Sequence, residues 1–391
     1  METLKILLVN NDSRFGGSQI ALGNMAYALS RRGHEVHILL GAENIPERLV
    51  KLCSQRCRIH KTTGYSSLAE FKNNVQKLRN SILNLHESFK FDVINAFGIT
   101  GMAIPALLQN QLVVTLHGNN VQRGLNLLIF SSESPEMWRS IPRAPGNFSK
   151  NVVGHFLYGQ LERIACKKSK LVVTLTKQET YYARKNYSLT SEKIRVVPNA
   201  IVGPEANDSE SQIPHDGKVV LSVGALEFIK GIPILAKTIK YILSTIEDAM
   251  YISVGNGPLM SYIQKLKAEF PNRVVVVPSA STTLASIYAC SSVFVQASLY
   301  EAFSLSMAEA MLAQKPIVAF NLASIPELVV DKESGRLAKP VCSKDLASKT
   351  ISLLEDEKTS RSLGVKAKKI VDTLYNFDCV GRSMETVLKE V

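Results

Sequence analysis

Cysteine is scarce in this sequence and is not arranged for cross-linking or for metal binding. Six cysteines occur in 391 residues, no two are spaced as Cys-x-x-Cys, and Cys53 and Cys57 have no second Cys or His pair at zinc-site spacing. These absences argue against a disulfide-stapled scaffold and a zinc-finger protein. Six scattered, reduced thiols are typical of a cytoplasmic protein, which is the location we expect.

Long hydrophobic runs are also missing. The longest apolar stretches, such as 125–130 with Asn126 inside it, fall short of the about 18 residues that a membrane-spanning helix needs. The sequence starts with a short apolar run at 6–9 that has no cationic segment before it and no cleavage site after it. We therefore expect neither a signal peptide nor a membrane anchor.

The composition is that of a globular protein. Hydrophobic residues make up 46% and charged residues 20% of the chain, which excludes a disordered or fibrous protein. At about 150 residues per domain, the length predicts two to three domains.

Acidic residues are under-represented in one half of the chain only. Residues 1–200 carry 26 Lys or Arg and 13 Asp or Glu, whereas residues 201–391 carry 20 and 21, so the first half holds the excess behind the net charge of +12. Such a half suits an anionic partner, such as a phosphorylated acceptor or the inner face of a membrane; the alternative is a solvated basic face. No base-stacking motif or helix-turn-helix pattern accompanies the charge, so we do not expect nucleic acid as a partner.

Apolar runs typical of buried parallel strands alternate with helical patterns in both halves of the chain. This alternation predicts two doubly wound α/β domains that face each other across a cleft, with ligands bound at the carboxyl ends of the strands. Predicted strands lie at 5–9, 36–40, 92–96, 112–116, 171–175 and 194–197, and then at 219–223, 251–254, 273–277, 293–296 and 317–320.

The segments that connect these elements predict the domain organisation. The polar stretch 201–216 is a natural linker, so we expect domains at 1–200 and 201–373, followed by a helix at 374–391. The segment 118–150 interrupts the alternation of predicted strands and helices, and it contains Trp138, the only Trp of the sequence. We expect a long irregular loop there that acts as a functional flap.

Several nucleotide and metal motifs are absent. There is no Gly-x-Gly-x-x-Gly, since Gly255-Asn256-Gly257 is followed by Met260 where the third Gly belongs, and there is no Walker A lysine loop. No Asp-x-Asp and no cluster of carboxylates or His suggests a metal, so we expect neither a metal nor another cofactor. A phosphate leaving group would then depend on Lys and on helix amides.

Two glycine-containing segments could approach a phosphate. Gly16-Gly17 precedes a predicted helix that we expect Ser18 to cap, and a helix start offers free amides to an anion. The run 224–231 follows a predicted strand and places Lys230 beside another helix start. A tight turn and a surface lysine are the alternative interpretations.

The most informative segment is 300–310. Glu301 lies in a loop after a predicted strand, and Glu309 lies about two helical turns further on. Between them, the helix start at Ser304 and Leu305 presents amides to a phosphate. Glu309 can then hold ribose hydroxyls, and Glu301 can reach the sugar beyond the phosphates. The apolar neighbours of Glu309 argue against the alternative of a merely solvated residue. His117, at the end of a predicted strand, is a further candidate binding residue.

These residues together resemble the retaining GT-B glycosyltransferases of the glycogen-synthase and phosphatidylinositol-mannosyltransferase type, also called group 1 glycosyltransferases. The resemblance covers nearly the whole chain and is most specific in Glu301-x7-Glu309. The other matching segments are Gly16-Gly17, His117-Gly118, Val197-Pro198-Asn199-Ala200, Lys230-Gly231, Gly255-Asn256-Gly257-Pro258 and Ile325-Pro326-Glu327.

The resemblance implies a function and a site. A basic first domain would bind a glycan or lipid-linked acceptor, and the second would bind a nucleotide-sugar without a metal. Glu309 would hold the ribose, Lys230 and the amides near Ser304 and Leu305 the diphosphate, and Glu301 the donor sugar. His117 would reach that sugar from the first domain, Gly16 and Gly17 would also contact the donor, and the last helix would cross back to the first domain.

Three positions depart from the family pattern. Ala225 stands where the family usually has Arg, Ser304 stands where it has Gly, and Ala323-Ser324 replaces Gly-Gly. Two other classes of function therefore stay open: an epimerase or phosphorylase acting on nucleotide-sugars or glycosyl phosphates, and a non-catalytic basic membrane-binding relative.

Overall fold

The chain forms two compact units. The computed structural model describes residues 2–13, 16–41, 50, 52–53, 56–141, 145–203, 218–277 and 284–391. The first unit comprises residues 1–122, 155–201 and 374–391, and the second comprises residues 123–154 and 202–373. Most of the predicted linker 201–216 and residues 142–144 of the predicted flap lie outside the described residues.

The first unit is built on a parallel sheet of seven strands in the order β3-β2-β1-β4-β5-β6-β7. Apolar runs form these strands because both faces of the sheet are covered: Ile6 and Leu8 of β1 pack on one face, and Leu7 and Val9 on the other. The strands are β1 (Lys5–Asn10), β2 (Glu35–Leu40), β3 (Cys57–Lys61), β4 (Val93–Phe97), β5 (Leu112–Thr115), β6 (Leu171–Thr174) and β7 (Ile194–Val196).

Helices cover both faces of this sheet. The last helix, Phe377–Leu388, packs against Gly17–Arg31, where its Gly381 lies close to the Ala28 carbonyl and Glu385 pairs with Arg32. This confirms the prediction that the C-terminal helix returns to the first domain. The α-helices that belong wholly or partly to this unit are Gly17–Arg31, Leu68–Phe89, Asn120–Glu133, Pro145–Lys168, Lys177–Tyr187 and Phe377–Leu388.

The second unit repeats the architecture with a parallel sheet of six strands, in the order β10-β9-β8-β11-β12-β13. Its strands are β8 (Lys218–Val223), β9 (Ala249–Val254), β10 (Val274–Val277), β11 (Val293–Gln296), β12 (Ile317–Phe320) and β13 (Gly335–Ala338). Its further α-helices are Pro135–Ser140, Ile232–Thr245, Met260–Glu269, Leu284–Cys290, Leu305–Leu312, Ile325–Leu328, Ser343–Glu355 and Glu357–Leu374. The doubly wound α/β fold predicted for both halves is confirmed.

Two local predictions were wrong. Ser18 does not cap the first helix; Gly16 occupies the cap position, and the Ser18 hydroxyl accepts a hydrogen bond from the Asn10 side chain. The segment 118–150 is not one irregular loop, since its described part is mostly helical. There Ser134 caps the helix that starts at Pro135, and residues 123–154 pack with the second unit although they precede residue 200.

A histidine pair lies at the edge of the first sheet. Nδ1 of His37 lies 3.0 Å from Nε2 of His60, so only one of these nitrogens can carry a proton in that contact. His37 is fully buried, with the Phe89 ring 4.2 Å away between centroids, and Nε2 of His37 lies 3.1 Å from Glu35. Burial lowers the pKa of both imidazoles despite the raising effect of Glu35 on His37, and the charges of Arg58 and the partner ring lower the pKa of His60 further.

The fold should therefore lose stability on mild acidification. A His whose pKa is lower in the folded than in the unfolded chain contributes stability that is complete above the unfolded value of about 6.5 and is lost below it. We expect the thermal unfolding midpoint, measured by thermal scans, to decrease as the pH is lowered from 7.5 to 5.5. His60→Gln should flatten this slope, and an unchanged slope would contradict the assignment.

Candidate functional site

The order of the second sheet reverses between β8 and β11, which lie side by side. In open parallel sheets, the crevice outside the carboxyl ends of the strands at such a reversal is where ligands bind. The loop after β8 carries Lys230, and the loop after β11 carries Glu301. The topology thus brings two sequence-predicted residues, 71 positions apart, to one place.

Gly231 lets these two loops touch. It adopts a positive φ of 64°, and a Cβ there would lie 2.0 Å from the carbonyl oxygen of Ala297. The amide of Leu299 donates to the carbonyl of Ile229 at 2.9 Å, which locks the contact. Any larger residue at position 231 would separate Lys230 from the loop after β11.

The Gly255-Asn256-Gly257 motif supports the loop after β8 from the other side. A Cβ on Gly255 would lie 2.0 Å from the Gly224 carbonyl oxygen, and the amide of Leu226 donates to the Asn256 carbonyl at 2.9 Å. This motif therefore holds the backbone that leads to Lys230.

The carboxylate of Glu301 is the polar centre of the site. Glu301 is 7% exposed, and its Oε1 accepts hydrogen bonds from Nζ of Lys230 at 2.7 Å and from the Ser298 hydroxyl at 2.7 Å. The side-chain amide of Gln296 donates to the same oxygen. Three donors offset the cost of burying a carboxylate, and charge-assisted hydrogen bonds such as that from Lys230 are stronger than neutral ones.

The start of the helix Leu305–Leu312 lies beside this carboxylate. The Ser304 hydroxyl caps the helix by accepting from the amide of Met307 at 3.4 Å, and Leu305 is the first helical residue. Glu301 and Ser304 line one small depression, together with Phe303, Met307, Ser324, Ile325 and Leu328. The helix start gives this part of the site a partial positive charge, which suits an anionic ligand group.

Glu309 is a buried carboxylate inside that helix. It is 7% exposed among the buried residues Met307, Ala308, Ala310 and Met311. The Tyr288 hydroxyl lies 3.1 Å from its Oε2 and 3.1 Å from the Ser306 carbonyl oxygen. The sequence argument against a solvated Glu309 agrees with this burial.

The remaining predicted residues belong to the first unit. Gly16 caps and Gly17 begins the helix after β1, with the Gly16 amide donating to the Gln19 side chain at 3.1 Å. The ring of His117, just after β5, stacks on Phe97 with centroids 4.6 Å apart. Both features lie at the carboxyl ends of strands in the first sheet.

Sequence reasoning missed several supporting residues. Asn126, from a helix that begins in the first unit, donates to the Leu299 carbonyl at 2.8 Å, and Arg123 lies over the Tyr300 ring at 5.4 Å. Gln296 was visible only as a polar residue ending an apolar strand. Tyr288 and Asn126 gave no signal, because their partners are distant in sequence.

The two parallel-sheet α/β units are those of the GT-B fold. The model of "Glycosyl transferases group 1" matches residues 204–370, and that of "Glycosyltransferase Family 4" matches residues 15–202. The chain belongs to the group 1 glycosyltransferases, as the sequence motifs predicted.

Individual relatives are distant. N-acetyl-alpha-D-glucosaminyl L-malate synthase of Bacillus anthracis is 22% identical, over 96% of this chain and 94% of that protein. Among solved structures, the sucrose-phosphate synthase of Thermosynechococcus elongatus has a TM-score of 0.78 at 21% identity, over 99% of this chain and 98% of that one. HepE of Anabaena, solved in complex with UDP-glucose, has a TM-score of 0.72 at 18% identity, over 99% and 100%.

Neither a membrane-spanning helix nor a metal-binding cluster occurs among the described residues. No helix among them is both long and apolar enough to cross a membrane. Within the same part of the chain, no group of three or more His, Cys, Asp or Glu side chains could hold a metal ion.

Proposed function

We propose that this glycosyltransferase moves a hexose-type sugar from a nucleotide-sugar to a glycan or lipid-linked acceptor, with retention of the anomeric configuration and without a metal. The observation that carries the proposal is the grouping of Lys230, Glu301 and the Ser304 helix start at the β8–β11 reversal. A cation, a carboxylate and free amides are what a diphosphate joined to a sugar requires. The HepE complex with UDP-glucose supports a donor of this class.

Each part of the donor has a partner in this proposal. The ammonium of Lys230 and the amides near Ser304 and Leu305 hold the diphosphate, Glu309 holds the ribose, and Glu301 contacts the sugar. His117 is also proposed to contact the sugar, and Gly16 and Gly17 to approach the donor. With Ala225 in place of the usual Arg, Lys230 and the helix start carry the charge stabilisation of the leaving group.

Retention is proposed to follow from attack on the face that the diphosphate leaves. The bond between the anomeric carbon and the phosphate oxygen breaks, the bond to the acceptor oxygen forms, and the acceptor proton passes to the departing phosphate oxygen. Such a step depends on electrostatic stabilisation rather than on an acid–base side chain.

We further propose weak association of the first half of the chain with anionic membrane surfaces at the cytoplasmic face. Besides the charge excess of residues 1–200, the helix Pro145–Lys168 supports this. Leu157 and Ile164 are 52% and 40% exposed on it, and Lys167 and Lys168 are exposed at its end. Apolar side chains with flanking lysines suit the boundary between headgroups and acyl chains.

Donor binding can be tested by thermal shift against a panel of UDP-, GDP-, ADP-, dTDP- and CMP-sugars. A ligand that binds the folded chain raises its melting temperature. We expect one panel member to do so, and Glu309→Ala to weaken its affinity about tenfold or more, measured by calorimetry, because a charged hydrogen bond is worth about 1.5–3 kcal/mol. Glu357→Ala, at an exposed residue of the same unit, is the matched control. Equal affinity of the Glu309→Ala and control variants would refute the ribose assignment.

The reaction itself can be followed by NMR. We expect a product with the anomeric configuration of the donor, formed only when acceptor is present, and turnover that survives EDTA. Inversion would refute the stereochemical proposal, and loss of activity in EDTA would refute metal independence. Product formed without acceptor would favour the epimerase or phosphorylase alternative, and no turnover of any donor would favour the non-catalytic one.

Membrane association can be measured by liposome flotation. We expect binding to vesicles with anionic lipid, and its loss in neutral vesicles and at high salt, because surface charges are screened beyond about 10 Å at 0.1 M salt. Leu157→Gln with Ile164→Gln should weaken binding, whereas Val365→Gln, at an exposed residue of the second unit, should not. Binding that ignores lipid charge and salt would contradict the proposal.

A further inference from the structure

Gln296 is an unusual residue for its position. It ends β11, an interior strand of the second sheet, after three fully buried apolar residues, Val293, Phe294 and Val295, and is itself 8% exposed. Burying an amide costs about 1–3 kcal/mol unless its hydrogen bonds are made. An apolar residue there would avoid that cost, so the amide calls for an explanation.

Both ends of this amide are used, and each connects to a different part of the candidate site. Its Nε2 donates to Oε1 of Glu301 and to the Ser298 hydroxyl at 2.9 Å. Its Oε1 accepts from the Ser304 hydroxyl at 2.9 Å. The amide therefore links the carboxylate to Ser304, the cap residue of the helix Leu305–Leu312.

Ser304 fixes which way the amide points. Its hydroxyl donates to Gln296, and that oxygen also accepts from the helix amide of Met307. With the carbonyl end of the amide held by Ser304, only the NH2 end can face Glu301. Ser304 replaces the glycine usual in the family, and glycine could not hold the amide in this way.

This arrangement determines the role of Oε2, the second carboxylate oxygen of Glu301. Within the described part of the chain, the hydrogen bonds to this carboxylate from Lys230, Gln296 and Ser298 are all made to Oε1. Oε2 is thereby left as the oxygen that can accept a hydrogen bond from a ligand hydroxyl. A carboxylate held by three donors on one oxygen presents the second oxygen in a fixed direction.

We propose that Gln296 is a positioning residue, which, anchored by Ser304, orients Glu301 so that its Oε2 faces the donor sugar. This inference rests on the proposed function, because it takes Glu301 as the sugar-contacting group. Gln296 itself touches no substrate. The pair Gln296 and Ser304 makes the orientation of Glu301 depend on the helix start that holds the phosphates.

The test replaces Gln296 with Met, which has a similar volume and lacks the amide. A merely structural role predicts that this apolar substitution is tolerated in activity. The positioning role predicts a protein that still folds, with kcat lowered about tenfold to a hundredfold and a smaller change in donor KM. The probe is the panel nucleotide-sugar that is turned over, and Gln264→Met, at an exposed residue of the same unit, is the control.

A double-mutant cycle with Ser304→Gly sharpens the test. Glycine is tolerated at a helix cap, and the substitution removes the CH2OH side chain whose hydroxyl holds the amide. If the two residues act through one amide, the double variant should be no slower than Gln296→Met alone, so that the effects on kcat are not additive. Additive losses of kcat, or an unchanged kcat in Gln296→Met, would overturn this inference and leave the proposed function standing. A wild-type protein that turns over no member of the panel would overturn the proposed function and this inference together.

Discussion

The buried carboxylate of Glu301 is the constraint on which the site in the second unit depends. An isolated charge at this depth would cost far more than a small domain can spare, so the carboxylate needs several donors around it. Lys230, Ser298 and Gln296 meet that demand on a single oxygen. The sheet order places the loops after β8 and β11 side by side, and Gly231, which has no side chain, allows the two loops to come into contact.

Contacts between loops explain how individually weak sequence motifs together form the site around this carboxylate. Lys230-Gly231 and Gly255-Asn256-Gly257 are each common turn sequences. In the structure the two segments lie in neighbouring loops, and Gly255-Asn256-Gly257 contacts the backbone of the loop that carries Lys230. Lys230 then reaches the loop after β11 through the contact between Ile229 and Leu299. Segments that are weak signals individually therefore support one another, because the loops that carry them are in contact.

The sequence predicted most of the fold, because a parallel sheet covered on both faces leaves continuous apolar runs. The runs from β1 to β12 were visible apart from β3, whose half-buried sequence Cys57–Lys61 alternates with polar residues. β13 was missed because Arg336 interrupts four residues. In the site, Glu301, Glu309 and Lys230 could be predicted from spacing. Tyr288, Asn126 and the orientation of Gln296 could not, since each depends on partners brought close only by tertiary packing.

The path of the chain between the two units has a practical meaning for dissecting the protein. Residues 123–154 belong to the second unit although they are synthesised within the first half. A fragment ending at residue 201 would strip Asn126 of the Leu299 carbonyl and the Phe148 ring of its contact with Phe228. The fragment would leave the helix Pro135–Ser140 without Ile232–Thr245, on which it packs, and would lack the helix Phe377–Leu388 as well. Separate expression of the halves therefore requires grafting segments, not a single cut.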